Sequence, residues 1–242
     1  MDSLSNVWRE WRGFILFVAL MLVVRSAVAD WNQVPSGSMK PNILEGDRVI
    51  VNKIAYDLRV PFTFMRLDSW ADPKRGEIIT FDNPKDERLF IKRVIGLPGD
   101  VVELRQNHLF VNGVAATYVP LRADEIAKLP IPNAECYEFF HETISGLTRV
   151  IMLDPQDSQS FSRTPRYCVQ HSQESYHTFP ATTVPAGNYL VLGDNRDDSG
   201  DFRAIGPVER WRILGRGHTV AFSFDSENYY LPRLDRLFSP LD

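Results

Sequence analysis

Two serines, Ser36 and Ser38, flank a glycine between two prolines in the stretch PSGSMKP, residues 35–41. A serine hydroxyl becomes a nucleophile only where a base accepts its proton and where donors stabilise the oxyanion that forms. Proline fixes φ and glycine permits unusual backbone angles, so the same stretch also fits an ordinary surface turn. The choice between the two interpretations depends on whether the chain supplies a base.

Histidine and lysine are the candidate bases. None of the five histidines lies in a motif typical of Ser-His enzymes, although a triad assembled from distant residues remains an alternative. Lys92 lies in LFIKRVI, where strand alternation places it on one face with Phe90 and Val94. Apolar neighbours of this kind depress the pKa of a lysine. Lys53 shows the same alternation, so the residues alone leave Lys53 and Lys92 as equal candidates.

The composition limits the classes of protein that the chain can represent. Of its 242 residues, 44% are hydrophobic and 24% are charged, which is typical of a globular protein. The net charge of −4 provides no excess of basic residues for binding phosphate groups. We therefore expect no nucleic-acid partner.

The N-terminal part of the chain predicts a membrane anchor. Residues 13–29 carry one charge, Arg25, and reach the lower length limit of a transmembrane helix, which leaves residues 1–12 as a short cytoplasmic segment. The alternative is a cleaved secretory signal that ends at Ala27-Val28-Ala29. We expect retention, because a charged Arg25 near that site favours continuing the helix. Both interpretations place the remainder outside the cytoplasm.

The chain contains two cysteines, Cys136 and Cys168. In an oxidising compartment an even number of cysteines favours a disulfide. The alternative is a zinc site that also uses His171 and His177, although their spacing differs from standard zinc motifs. We predict a disulfide and no metal.

The remaining pattern predicts a mainly β protein with an antiparallel-sheet core. Short segments rich in β-branched residues are separated by turn residues, and Asn112-Gly113 between apolar runs predicts a hairpin. The predicted strands cover 47–54, 76–82, 88–95, 100–105, 187–194 and 217–225. Between residues 123 and 183 the pattern becomes polar and irregular after a short helix in RADEIAKLP. We therefore predict a core of residues 31–122 and 184–242 with an inserted second region at 123–183.

Three blocks carry a resemblance to a known family. VPSGSMKP, FIKRVIGLPGD and LGDNRDDSGDFRAIG occur in the order and context of the bacterial type I signal peptidases. These are membrane-bound Ser/Lys peptidases that remove signal peptides from exported proteins. The resemblance covers the anchor and most of the β core, and the 123–183 region contributes nothing to it.

The resemblance implies a role for each matching residue. Ser38 matches the nucleophile and Lys92 the general base, which resolves the choice between the two lysines. Ser36 matches the hydroxyl that forms the oxyanion hole with the Ser38 amide, and Ser199 matches the residue that orients the lysine amine.

The third block also carries matches and departures. Asp201 and Arg203 match a structural ion pair, and Asp194 matches a scaffold residue. The departures bear on fine specificity: Asp198 stands where asparagine is common, Phe202 where serine is common, and Ala204-Ile205 in place of an aromatic pair.

The implied function is that of a membrane-anchored serine endopeptidase that cuts pre-proteins after small residues at −1 and −3, without metal or cofactor. Its implied partners are pre-protein signal peptides and the lipid bilayer, with a monomeric enzyme at the outer face of the bacterial inner membrane. Two alternatives are a pilus- or conjugation-type processing peptidase with the same Ser/Lys pair, and a non-catalytic anchored domain that binds exported chains.

Overall fold

The computed structural model describes residues 2–63, 65–155, 168, 177–225 and 228–241, with residues 2–10 described by their backbone alone. The helices and strands in chain order are α1 (Asp2–Ala27), β1 (Ala29–Gln33), β2 (Asp47–Asn52), β3 (Asp57–Arg59), β4 (Arg66–Ser69), β5 (Ile78–Asp82), β6 (Leu89–Gly96), β7 (Val101–Arg105), β8 (His108–Val111), β9 (Val114–Ala115), β10 (Thr117–Pro120), α2 (Ala123–Ile126), β11 (Glu138–Ile144), β12 (Leu147–Leu153), β13 (Phe179–Thr183), β14 (Asn188–Leu192), α3 (Phe202–Ile205), β15 (Val208–Glu209), β16 (Ile213–Asp225), β17 (Leu231–Pro232) and β18 (Ser239–Pro240).

The largest sheet has the strand order β1-β2-β16-β5-β6-β14-β15, with β17 and β18 paired to β16. The neighbouring strands in this sheet are antiparallel, which confirms the prediction of a mainly β, antiparallel core. The six predicted strands overlap β2, β5, β6, β7, β14 and β16.

The predicted hairpin is also confirmed. β8 and β9 pair with Val111 opposite Val114, so Asn112 and Gly113 form a two-residue turn. Both turn residues have positive φ, 53° and 78°, as the turn type favoured by Asn-Gly requires.

The large sheet is buried on both faces near its centre. Adjacent residues of β5, Ile78 and Ile79, point in opposite directions because strand side chains alternate. Ile78 packs in one hydrophobic cluster with Val49 and Val220, while Ile79 packs in another with Val94. β6, the strand that carries Lys92, lies between β5 and β14 in this sheet, and its Val94 packs in the second cluster.

The region between residues 117 and 183 contributes to two smaller sheets. β10, β11 and β12 form a three-stranded sheet, which begins before residue 123. β13 pairs instead with β7 in a sheet with β8 and β9. The three-stranded sheet thus overlaps the predicted inserted region 123–183, but it starts and ends at different residues.

The predicted apolar segment lies largely within α1. Along the chain as the structure describes it, no helix combines the length and the apolar character needed to cross a membrane. The predicted transmembrane helix at residues 13–29 is therefore not supported: α1 ends at Ala27, and Ala29 begins β1, where it pairs with Asn52.

Candidate active site

Ser38 lies in the loop that joins β1 to β2. The buried side chains of Met39 and Ile43 fix this loop in the hydrophobic core. The loop also docks on a distant segment, because the amide of Asn195 donates to the Ser38 carbonyl (3.2 Å) and its side chain donates to the Gly37 carbonyl (3.2 Å). The backbone of Ser38 is thereby fixed by side-chain packing on its C-terminal side and by hydrogen bonds at residues 37 and 38.

Lys92 extends from the middle of β6 to the same point. Its Nζ donates to Ser38 Oγ at 2.6 Å and to the Ile91 carbonyl at 3.0 Å. Ser38 and Lys92 are 7% and 4% exposed. A lysine amine within direct hydrogen-bond reach of a serine hydroxyl has the geometry that proton transfer between them requires.

Burial changes the proton affinity of this amine. It lowers the pKa of Lys92 from 10.5 to about 8, because the ammonium form loses its hydration, while the carboxylates of Asp201, Asp194 and Asp198 oppose the change. Near pH 8, Lys92 is therefore neutral in about half of the molecules, and only this neutral form can accept a proton.

Lys53, the other candidate base, lies elsewhere. Its Nζ donates to the carbonyls of Arg25 (3.0 Å) and Ser26 (3.3 Å) at the end of α1. The amine therefore caps a helix terminus, where cations are stabilised. It has no contact with Ser38.

An open cleft with a volume of about 300 Å³ lies beside the Ser38–Lys92 pair. Its lining includes Ser36, whose exposed hydroxyl has no hydrogen-bond partner among the residues that the structure describes. Its other lining residues are Pro35, Arg88, Leu89, Phe90, Ile91, Asp198 and Gly200. A peptide in this cleft would lie against both serines.

Residues 193–203, which we call the aspartate loop, close the site from behind. A side chain at Gly193 would collide with the Ser38 carbonyl and the Ser199 hydroxyl, so only glycine permits this close approach. Ser199 is buried, yet its Oγ has no hydrogen-bond partner in the described part of the chain. The expected hydrogen bond from Ser199 to Lys92 is not formed: the amine donates to Ser38 and to the Ile91 carbonyl.

Two buried ion pairs hold the aspartate loop to the sheet and to itself. Asp194 accepts two hydrogen bonds from Arg93, the neighbour of Lys92, at 2.9 and 2.8 Å. Asp201 pairs with Arg203 at 2.7 Å and accepts from the Gly193 amide at 2.9 Å. Burial opposes ionisation of Asp201, but Arg203 and these hydrogen bonds lower its pKa. Asp201 therefore stays ionised near Lys92, in an ion pair with Arg203.

A further network reaches the aspartate loop from the three-stranded sheet. The fully buried Glu142 on β11 pairs with Arg149 on β12 (2.5 Å) and with Arg196 of the loop (2.7 Å), and it accepts from the Tyr118 hydroxyl (3.1 Å). Burial alone would raise the pKa of Glu142, but the two arginines outweigh it and lower the pKa to about 2. Glu142 could not be predicted from the sequence, because it lies in the region without a recognisable motif.

We expect Glu142→Gln to lower the free energy of unfolding by about 3–5 kcal/mol, because it leaves two buried guanidinium groups without their counter-charge. Equilibrium urea unfolding measures the loss. The depressed pKa stabilises the fold above pH 4.5, and this stabilisation disappears as the pH falls towards 2. Wild type should therefore lose more stability than Glu142→Gln over that interval, and equal losses would contradict the assignment.

The two cysteines form a disulfide between Cys136 and Cys168. Neither sulfur is therefore available as a thiolate ligand for zinc. His171 lies outside the described residues, and within them no group of three or more His, Cys, Asp or Glu side chains is arranged to hold a metal ion.

The side chains that meet at this site are of the types that acyl transfer uses. A serine nucleophile, a buried amine as base and free donors beside an open cleft are the parts that peptide hydrolysis needs. Ser38, Lys92 and Ser36 are the side chains at this site whose types and positions match those parts. Asp194, Asp201 and Arg203 hold the surrounding loop through ion pairs.

Comparisons with known proteins identify the family of this chain. The family described as "Signal peptidase, peptidase S26" matches residues 8–222. A signal peptidase I of Pseudomonas fluorescens is 31% identical over 93% of this chain and 76% of that protein. One from Rickettsia bellii is 33% identical over 89% and 73%. A solved signal peptidase I structure from Enterococcus faecalis is 29% identical over 61% of this chain and 98% of that chain, with a TM-score of 0.33. The chain therefore belongs to the signal peptidase family, peptidase S26.

Proposed function

We propose that this protein is an endopeptidase that removes signal peptides from exported pre-proteins with Ser38 as nucleophile and Lys92 as general base. The hydrogen bond of 2.6 Å between the buried Lys92 amine and the Ser38 hydroxyl carries the proposal. Membership of the signal peptidase family supplies the substrate class.

In the proposed reaction, neutral Lys92 takes the proton of Ser38 as Oγ attacks the scissile carbonyl. The resulting oxyanion receives hydrogen bonds from the Ser38 amide and the Ser36 hydroxyl. Lys92 then passes the proton to the departing amine, and the signal peptide remains bound to Ser38 as an ester. Water, deprotonated by Lys92, hydrolyses this ester and regenerates the hydroxyl.

The cleft supports binding of an extended peptide. β14 pairs with β6 only from Arg93 onwards, so among the described strands none covers that edge of residues 89–92. A substrate strand can pair there, next to the catalytic groups. Because alternate side chains of a strand point the same way, residues −1 and −3 would face the same wall. We propose that small residues are selected at these two positions.

We also propose that α1 attaches the protein to a lipid bilayer at the outer face of the bacterial inner membrane. Large apolar side chains from Trp11 to Val24 are exposed around this helix, including Leu16 and Leu20 at 68% and 63%. Phe62, also 68% exposed, is held beside the helix end by a hydrogen bond from its amide to Ser26 Oγ (2.7 Å). Apolar surface of this extent is stable in lipid rather than water.

The structure also supports retention of the N-terminal segment. Ala29, the last residue of the potential cleavage site, is paired in β1, and Asp30 forms an ion pair with Arg25 (2.7 Å). N-terminal sequencing of protein from fractionated cells should find the segment present in the membrane fraction. A soluble protein beginning at Asp30 would contradict this.

The experiment for the main proposal is incubation of the detergent-solubilised protein with a purified pre-protein, followed by mass measurement of both products. We expect one cut, after a small residue preceded by another small residue two positions earlier. Cleavage of several pre-proteins would support general processing, whereas intact pre-protein in every reaction would contradict the proposal.

The rate of cleavage should depend on pH through Lys92. Because the neutral amine is the base and the pKa of Lys92 is about 8, kcat/KM should rise about tenfold per pH unit below pH 8 and level off above it. Steady-state assays with a peptide lacking ionisable side chains measure this profile. A rate that stays constant from pH 5 to pH 10 would contradict a lysine base.

A further inference from the structure

The aspartate loop contains four carboxylates, and one of them differs from the others. Three are buried and serve the loop itself: Asp194 binds Arg93, Asp201 binds Arg203, and Asp197 accepts from the Asp154 amide (2.8 Å) and the Asn107 side chain (3.0 Å). Asp198 is exposed, and within the described ranges it has neither a hydrogen bond nor an ion pair. The fold therefore does not require its charge.

Asp198 lines the same cleft as Ser38 and Lys92. Arg88, the other charged side chain of the lining, forms an ion pair with Asp86 at 2.5 Å, and Lys92 is uncharged in its reactive form. When Lys92 is neutral, as it is above pH 8, Asp198 is the charged side chain of this lining that has no ion-pair partner among the described residues. A substrate entering the cleft meets a negative potential there.

We propose that Asp198 is a specificity-determining residue that favours basic side chains, and disfavours acidic ones, next to the bond that is cut. The inference rests on the proposed peptidase function and adds a charge preference to it. The substrate residues concerned are those at −2, +1 and +2, because −1 and −3 are expected to face the wall that selects small side chains.

The expected preference is moderate, because Asp198 is exposed to water. A screened pair of opposite charges and the corresponding like-charge repulsion together should give about a 5- to 30-fold ratio of kcat/KM between a lysine and a glutamate substrate. Salt weakens such interactions, so the ratio should shrink towards one at about 1 M ionic strength.

The experiment uses the full chain in detergent and matched peptides that differ only in carrying lysine or glutamate at −2, +1 or +2. Wild type should prefer lysine at one or more of these positions. Asp198→Asn should remove the preference, and Asp198→Lys should reverse it. Asp68→Asn removes an exposed carboxylate on β4, outside the cleft, and should keep the wild-type ratio.

The outcomes separate this inference from the proposed function. A wild-type ratio near one at every position, or a ratio that is unchanged in both Asp198 variants, would overturn the role of Asp198 while the peptidase function stands. Absence of cleavage of every peptide and pre-protein by wild type would overturn the function itself, and the charge preference with it.

Discussion

Ser38→Ala should abolish cleavage of pre-proteins. The variant removes the atom that forms the acyl bond, and no other described hydroxyl lies within hydrogen-bond reach of Lys92 Nζ. We expect kcat to fall by about 10⁴-fold or more, as for other enzymes that lose their nucleophile. Quantitative mass spectrometry of the products measures the loss.

The control for this variant is Ser69→Ala, which removes an exposed hydroxyl on β4 and should retain full activity. Circular dichroism should show the same fold for both variants, because the hydrogen bond of Ser38 Oγ to Lys92 is the contact that the first variant loses. Residual activity of Ser38→Ala above a few per cent would exclude Ser38 as nucleophile.

Lys92→Met should also abolish cleavage, yet it should make the protein more stable. Burial of the Lys92 ammonium group destabilises the folded wild type, and for the same reason the pKa of Lys92 falls from 10.5 to about 8. Methionine keeps the side-chain length without the charge. After allowance for the lost hydrogen bonds, we expect a gain of about 1–3 kcal/mol in the free energy of unfolding near pH 7.

The pH dependence of this gain tests its cause. Below pH 8 Lys92 is protonated in both folded and unfolded wild type, so the penalty is complete; above pH 10.5 it is neutral in both, and the penalty vanishes. Urea unfolding should therefore show the advantage of Lys92→Met shrinking between pH 8 and 10.5. An active Lys92→Met, or an advantage that grows with pH, would contradict the assignment.

Lys53→Met provides the matched control. Lys53 is partly exposed and binds the carbonyls at the end of α1, so its replacement should leave cleavage of a soluble peptide intact. If Lys53→Met abolished cleavage and Lys92→Met did not, Lys53 and not Lys92 would be the general base.

The burial of Lys92 could be predicted from the sequence because it depends on a local rule. Side chains alternate along a strand, so Lys92 shares a face with Phe90 and Val94, and both pack in one hydrophobic cluster. Lys53 shows the limit of this rule. Its strand ends at Asn52, whose side chain caps a short 3-10 helix, and Lys53 therefore leaves the face that the alternation indicated.

Contacts between distant segments could not be predicted from periodicity. Ser38 and Lys92 are 54 residues apart, and their pairing was implied only by the resemblance to a family. Glu142 and Arg196 are also 54 residues apart, and no motif connects them. Their contact depends on how the three-stranded sheet packs against the aspartate loop, which is a property of tertiary structure and not of local sequence.

The most direct test of the central claim, that the Ser38 hydroxyl performs the attack, replaces it with a thiol. The chain's two cysteines are joined in a disulfide, so Ser38→Cys introduces one free thiol. We predict that this variant cuts a pre-protein at the wild-type bond at a reduced rate, and that one equivalent of maleimide at residue 38 stops it while leaving wild type unaffected. Cleavage that continues undiminished after residue 38 is fully modified would contradict the account.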